Sequence, residues 1–263
     1  MKDTRSKSRV KVDAAARWFM WHFLQKTYGF ILITEFPKSG GTWFGQMMST
    51  ALKVPFPRNK APKLEPCIIH GHYNYSKRPD KMIAVLRDGR DTMVSAYHHF
   101  LFENDRNPSF SVVNYRKAMP FDDYENIRKN LPQFIEFMFT DYANRPRHFS
   151  WADFINQHLD KPNVLAVRYE DLLIDPSKEL ERAIGFLGYP EISRDELVKV
   201  ADAYSFEKLA KRKPGQENNA SFLRKGIAGD WKNHFSEEAR EVFFKYAGKE
   251  LIKAGYEKDN SWV

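Results

Sequence analysis

Cysteine is nearly absent from this 263-residue chain. Cys67 stands alone, which excludes an internal disulfide and any multi-cysteine metal cluster and makes a reducing compartment the default, so a cytoplasmic location is expected. A long hydrophobic run is also missing. The apolar stretch from Ala14 to Leu24 follows a basic start, but Arg17 and His22 interrupt it and no small-residue cleavage site follows. Neither a signal peptide nor a transmembrane segment is expected there. There is no internal repeat, low-complexity tract or Pro/Gly/Ser-rich linker. The expected organisation is therefore a basic tail over residues 1–12 and a single domain over 13–263. Aromatic residues, by contrast, are plentiful. With 21 Phe, 12 Tyr and 6 Trp in a 42% hydrophobic composition, the chain can bury a sizeable core and is not disordered.

The charge balance is basic, with 42 Lys and Arg against 34 Asp and Glu, a net +8. Half of that excess lies in residues 1–12, where Lys2, Arg5, Lys7, Arg9 and Lys11 face Asp3 alone. The body is only mildly basic and carries no RNA- or DNA-binding signature, so a nucleic-acid partner is not expected. On a helical wheel Trp18, Trp21, Phe23 and Leu24 share one side, which packs on the domain or lies weakly on an acidic membrane surface. Packing on the domain is the preferred reading.

Short apolar runs alternate with helix-compatible stretches. Strands are predicted at 30–34, 66–72, 81–87 and 163–168, and helices at 42–52, 91–100, 131–142, 151–159, 177–187, 194–204 and 236–254. This alternation predicts an α/β fold with a central parallel sheet flanked by helices. The polar stretch from Phe102 to Asp123 reads as a mobile lid.

After the first strand comes Pro37-Lys38-Ser39-Gly40-Gly41-Thr42-Trp43. A glycine pair lets the backbone turn tightly, and the next helix aims its unpaired N–H groups at the loop, where phosphate is the natural occupant. Lys38 adds a cation, and Ser39 and Thr42 add hydroxyls. The order differs from the nucleoside-triphosphate loop, in which the lysine follows the glycines.

The loop resembles the Pro-Lys-Ser-Gly-Thr-Thr-Trp loop of the cytosolic-type sulfotransferases. Two distant segments resemble the same family: Leu86-Arg87-Asp88-Gly89-Arg90-Asp91-Thr92-Met93-Val94-Ser95, and Arg224-Lys225-Gly226 with the following Gly229-Asp230-Trp231-Lys232. The whole looks closest to the bacterial carbohydrate and glycan sulfotransferases. The resemblance implies a P-loop nucleotide-kinase-like three-layer sandwich. It also implies 3′-phosphoadenosine 5′-phosphosulfate (PAPS) as donor, 3′-phosphoadenosine 5′-phosphate (PAP) as product, and no required metal. On the family pattern Ser39, Gly40, Gly41 and Thr42 hold the 5′-phosphosulfate, and the backbone N–H of Gly41 still binds phosphate although a glycine replaces the family's threonine. Lys38 neutralises the charge that builds as the S–O bond breaks. Trp43, Tyr169 and Phe206 contact the adenine. Arg87 and Ser95 grip the 3′-phosphate, and Arg224, Lys225 and Gly226 close on it.

The family's base is the histidine of a Lys-x-His at a strand end, and His70-Gly71-His72 occupies that place. The resemblance aligns His72 with the base and His70 with the lysine. Lid glutamates such as Glu103 or Glu125 are alternative bases, since some glycan-directed relatives use a carboxylate. The family's dimerisation sequence is not found near the C-terminus, so no oligomeric state is carried over. The predicted reaction is in-line sulfuryl transfer to a hydroxyl acceptor, with histidine as general base. A carbohydrate or glycolipid acceptor is expected, because His70, Tyr73, Tyr75, Phe100, Phe102, Tyr124 and Trp151 can form aromatic walls. Arg106, Arg116, Lys117, Arg128, Arg145 and Arg147 make the lid region basic. The alternatives are a small phenol, alcohol or steroid acceptor, and a P-loop ATP-dependent kinase.

Overall fold

A computed structural model of the chain describes residues 5–104 and 109–263. Lys2 and Asp3 of the expected tail and Arg106 of the expected lid lie outside the described residues. In chain order the elements are α1 (Lys7–Phe23), α2 (Gln25–Tyr28), β1 (Ile31–Glu35), α3 (Gly41–Leu52), β2 (Ile68–Gly71), β3 (Met82–Leu86), α4 (Gly89–Leu101), α5 (Ser109–Ala118) and α6 (Ile127–Phe137). A π-turn at Met138–Tyr142 extends α6. Then follow α7 (Trp151–His158), β4 (Val164–Arg168), α8 (Tyr169–Ile174), α9 (Pro176–Leu187), α10 (Arg194–Ala203), α11 (Phe206–Ala210), α12 (Trp231–His234) and α13 (Glu237–Lys253). The expected tail boundary at residue 12 falls inside α1, whose first turn is capped by the Ser6 hydroxyl.

The chain sorts into two compact units. Among the described residues, one holds 5–87 together with Gln157–Leu209; the other holds Asp88–Asn156 and Ala210–Val263.

The first unit contains a four-stranded sheet in the order β2-β1-β3-β4, and every pairing is parallel. Parallel strands need both faces covered, and β1 and β3 are buried at every position. One face carries Ile31, Ile33, Ile68, Ile83 and Val85, packed with Phe44, Met47 and Met48 of α3 and Leu180 and Ile184 of α9. The other face carries Leu32, Ile69 and Met82, packed with Phe30, Cys67 and Trp21 of α1. Successive strand residues thus feed opposite layers, as the period of two requires. The N-terminal helix is held by Trp21 and by Arg5, which pairs with the buried Asp13 of α1 and donates to the Asn59 carbonyl at 3.0 Å.

The second unit is helical among its described residues. Its buried cation is Arg90, 2% exposed, which donates to both carboxylate oxygens of Asp88 at 3.0 and 2.7 Å and to Glu257 at 2.5 Å. Its guanidinium lies 3.8 Å from the Trp231 ring centroid and 4.7 Å from that of Trp262. Guanidinium planes stack on aromatic faces in a way that an ammonium cannot.

The expected lid contains α5. Arg116 donates to the Leu101 carbonyl, and the carbonyls of Met119 and Arg116 share the single Tyr124 hydroxyl proton.

Candidate active site

The loop after β1 is built by backbone geometry. Lys38 has φ 75° and Gly40 has φ 98°, so both sit in the left-handed region, and α3 begins at Gly41. A lysine held there costs on the order of 1–3 kcal/mol of backbone strain, typical of loops shaped for a ligand. Gly40 is constrained twice, because a Cβ would lie 2.7 Å from Cδ2 of Tyr169. Ser39 is 1% exposed, and its hydroxyl has no hydrogen-bond partner among the described residues. An orphaned buried donor beside a cation and a helix N-terminus fits an anionic phosphosulfate group.

Tyr169 opens α8 at the end of β4, and its ring lies against Gly40 of the loop. Its centroid is 6.0 Å from that of Trp43, and the Arg87 guanidinium sits 4.4 Å above its face. Arg87 also donates to the Lys38 carbonyl at 3.1 Å, which ties the end of β3 to the loop. The Trp43 indole N–H donates to the Tyr204 carbonyl at 2.8 Å, and Phe206 begins α11 two residues later. The sequence-predicted residues Lys38, Ser39, Gly40, Gly41, Thr42, Trp43, Arg87, Tyr169 and Phe206 thus all belong to the sheet unit, with most of them around one loop.

Sequence reasoning missed Glu35. This carboxylate ends β1, is 4% exposed, and accepts from the Gly41 N–H at 2.7 Å and from Nε2 of His70 at 2.8 Å. Burial pushes its pKa up, but the His70 hydrogen bond, the charges of His70 and His72 and the Gly41 amide outweigh burial and hold it below the ordinary value. The Gly41 N–H, expected to face phosphate, donates here to an internal carboxylate. The available signal was an acid at a strand end directly before the loop.

The His70-x-His72 strand ends one residue earlier than expected, at Gly71, so His72 lies just beyond β2. The two rings remain neighbours, with centroids 6.1 Å apart. Nδ1 of His72 lies 2.9 Å from the backbone carbonyl of Glu35. A carbonyl can only accept, so Nδ1 carries the proton and the lone pair of the neutral ring is on Nε2. His72 is exposed and His70 buried.

Ser95, Arg224, Lys225 and Gly226 lie in the helical unit. Ser95 is one turn along α4 from Asp91, whose carboxylate accepts from the N–H groups of Gly229 and Trp231 at 2.6 and 2.8 Å. Asp91 therefore moors the signature loop to the helix that carries Ser95. Gly226 has φ 67°, which turns that loop. Arg224 pairs with Glu217 at 2.5 Å and Asp230 at 2.6 Å, and Lys225 pairs with Asp230 at 2.6 Å. Burial raises the Asp230 pKa, but hydrogen bonds from His234, Lys225, Arg224 and Asn233 overcome this and hold it well below the usual carboxylate range. The adjacent His98 is neutral, because burial and the Arg224 charge push its pKa down to about 3.

Several expected acceptor walls are core instead. Trp151 is 1% and Phe100 8% exposed, and the half-buried Tyr73 packs against Trp21 with centroids 4.3 Å apart. Large aromatic rings gain most by full burial, and this gain overrode their sequence context. Glu103 and Glu125, the alternative bases, are exposed in the helical unit.

A family model, the sulfotransferase domain, matches residues 60–255, a span that begins after the Pro37–Trp43 loop. Sulfotransferase 1B1 of Mus musculus is 27% identical, over 87% of this chain and 85% of that protein. A flavonol sulfotransferase-like protein of Flaveria bidentis is also 27% identical, over 86% and 82%. Among solved structures, a mouse sulfotransferase complexed with PAP superposes with a TM-score of 0.56 at 20% identity, covering 84% of each chain. Retinol dehydratase in complex with androsterone and PAP gives a TM-score of 0.57 at 18% identity, covering 84% of this chain and 80% of that one. These structural neighbours share the α/β fold. The chain belongs to the sulfotransferase domain family and is a PAPS-dependent sulfotransferase.

Proposed function

We propose that this sulfotransferase acts on the hydroxyl of a small phenol, flavonol or steroid-like alcohol, with His72 as general base. The observation that carries the base assignment is the hydrogen bond from His72 Nδ1–H to the Glu35 carbonyl, which puts the lone pair of the neutral ring on Nε2. The acceptor class is supported by what the relatives are named for: flavonols in the Flaveria bidentis protein, and androsterone and retinol in the solved complexes of retinol dehydratase. The carbohydrate or glycolipid expectation has no such support, and part of its aromatic wall is core. A cytoplasmic location is proposed on the same footing, from a relative named as a cytosolic sulfotransferase in Arabidopsis thaliana.

PAPS, when bound, supplies the sulfuryl group. Ser39, Thr42 and the head of α3 would hold its phosphosulfate, while Trp43, Tyr169 and Phe206 would border its adenine. Arg87, Ser95, Arg224, Lys225 and Gly226 are assigned to its 3′-phosphate by the family pattern. The steps left to this chain are few. Nε2 of His72 removes the proton from the acceptor oxygen, and Lys38 supplies positive charge where negative charge builds on the leaving side.

A mass-spectrometric screen of phenols, flavonols, steroids and sugars with labelled donor tests the acceptor class; sulfation of sugars alone would overturn it. In the same assay His72→Ala is expected to lower turnover ~10²–10⁴-fold while PAP binding is unchanged. Full activity in that variant would remove His72 as the base.

A further inference from the structure

The family's Thr-Thr loop pair and Lys-x-His differ here at two positions, Gly41 and His70, and both meet at Glu35. A Cβ on residue 41 would lie 2.9 Å from the Glu35 carboxyl carbon and 2.9 Å from Nε2 of His70. A side chain at 41 would therefore displace the carboxylate–imidazole contact packed against it. Both histidines hang on this one residue: His70 on its side chain, His72 on its backbone carbonyl. Parallel pairing explains how. Ile33 is opposite His70 in the β1–β2 register, so Glu35 is level with the residues just beyond β2.

We propose that Glu35 is a positioning residue of the transfer site, fixing the proton of His70 on Nε2 and that of His72 on Nδ1, and that Glu35, His70 and Gly41 act as one unit in place of the family's lysine and threonine. A carboxylate oxygen in the ionised state only accepts, so the His70 Nε2 proton stays between the two groups whether or not that ring gains a second proton. When His72 takes the acceptor's proton onto Nε2, the new charge lies within the field of the Glu35 carboxylate, which stabilises the imidazolium until the proton passes to water. The other groups facing the pair are Arg17 of α1, which donates to the His70 carbonyl at 3.1 Å, and the ring of Phe56, 5.9 Å from the His70 centroid.

This inference rests on the transfer role given to His72 above, and its test needs no acceptor. In protein labelled with ¹⁵N-histidine, the imidazole spectra, assigned by His70→Asn and His72→Asn, are expected to show a proton fixed on Nε2 of His70 and one on Nδ1 of His72. In Glu35→Gln the His70 proton is expected to lose its fixed position while the His72 signal stays, since its partner is main chain. PAP binding by calorimetry is expected to weaken at least tenfold in Gly41→Thr and to return to within about threefold of wild type in Glu35→Ala/Gly41→Thr. A neutral His70 protonated on Nδ1 in the wild type overturns the proposal even if Glu35→Gln does not fold. Wild-type PAP affinity in Gly41→Thr, or no recovery in the double variant, also overturns it. Wild-type protein that bound no PAP would instead sink the cofactor assignment, because the imidazole spectra are read without it.

Discussion

The two units hold the charged residues of the candidate site in different ways. Around the loop after β1 in the sheet unit, the Arg87 guanidinium meets a carbonyl and an aromatic face, and the buried Glu35 is satisfied by an imidazole and an amide. In the helical unit three signature cations meet carboxylates: Arg90 with Asp88 and Glu257, Arg224 with Glu217 and Asp230, Lys225 with Asp230. The sheet unit arranges amides, hydroxyls and rings around a shaped loop. In the helical unit, a phosphate that engages Arg224 or Lys225 has to compete with an internal anion. Coulomb pairing of this sort stabilises the loop and weakens the ligand by the same amount that it must give up.

That contrast can be broken at four points. The largest effect is expected from Arg90→Met, which leaves Asp88 and Glu257 without their shared cation and two indole faces without their stacking partner; a loss of about 3–5 kcal/mol in denaturant unfolding is expected. Unchanged stability would mean that the cluster is dispensable. Next is Arg87→Ala, expected to weaken PAP binding about 10–100-fold, the equivalent of ~1.5–3 kcal/mol for one charge-assisted contact, with little change in Tm. Undiminished affinity by calorimetry would remove Arg87 from the cofactor site.

A pH effect follows in size. The folded-state pKa of His98 is depressed to about 3 from an ordinary value near 6.5, so between these values the unfolded chain binds the extra proton and stability rises with pH. Its contribution is present above pH 6.5 and is lost progressively toward pH 3, at up to about 1.4 kcal/mol per pH unit. Urea titrations of wild type and His98→Gln between pH 7.5 and 5 check this: the slope is expected to flatten in the variant, and parallel slopes would refute it. The smallest effect is expected from Glu217→Ala, which removes one of the two carboxylates on Arg224 and should tighten PAP binding about threefold. Weaker binding would show that Glu217 positions the arginine instead of competing for it.

The elements that position the site were legible in local pattern. The apolar run at 30–34, the glycine pair after it and the helix-compatible stretch to Leu52 specify β1, the loop and α3. The runs at 81–87 and 163–168 likewise became β3 and β4, with Arg87 and Tyr169 just beyond their ends. Glu35 escaped notice because its partners lie 6 and 35 residues away, and an acid at a strand end has no periodicity to mark it. Trp151 and Phe100 were misassigned to acceptor walls for the converse reason. Composition shows that aromatics are abundant but not which ones the packing will bury.

By itself, the sequence determined the strand–loop–helix order, the residue types suited to an anionic nucleotide and the three family segments. All of these are short-range features set by backbone chemistry within about fifteen residues. Only the tertiary structure decided which charges are neutralised from within. Strand register brings Glu35 to His70, and the mooring of one loop on Asp91 accompanies the pairing of Arg224 and Lys225 with Asp230. Those pairings are long-range in sequence or depend on loop closure, and their energies depend on burial, which no single residue carries in its name.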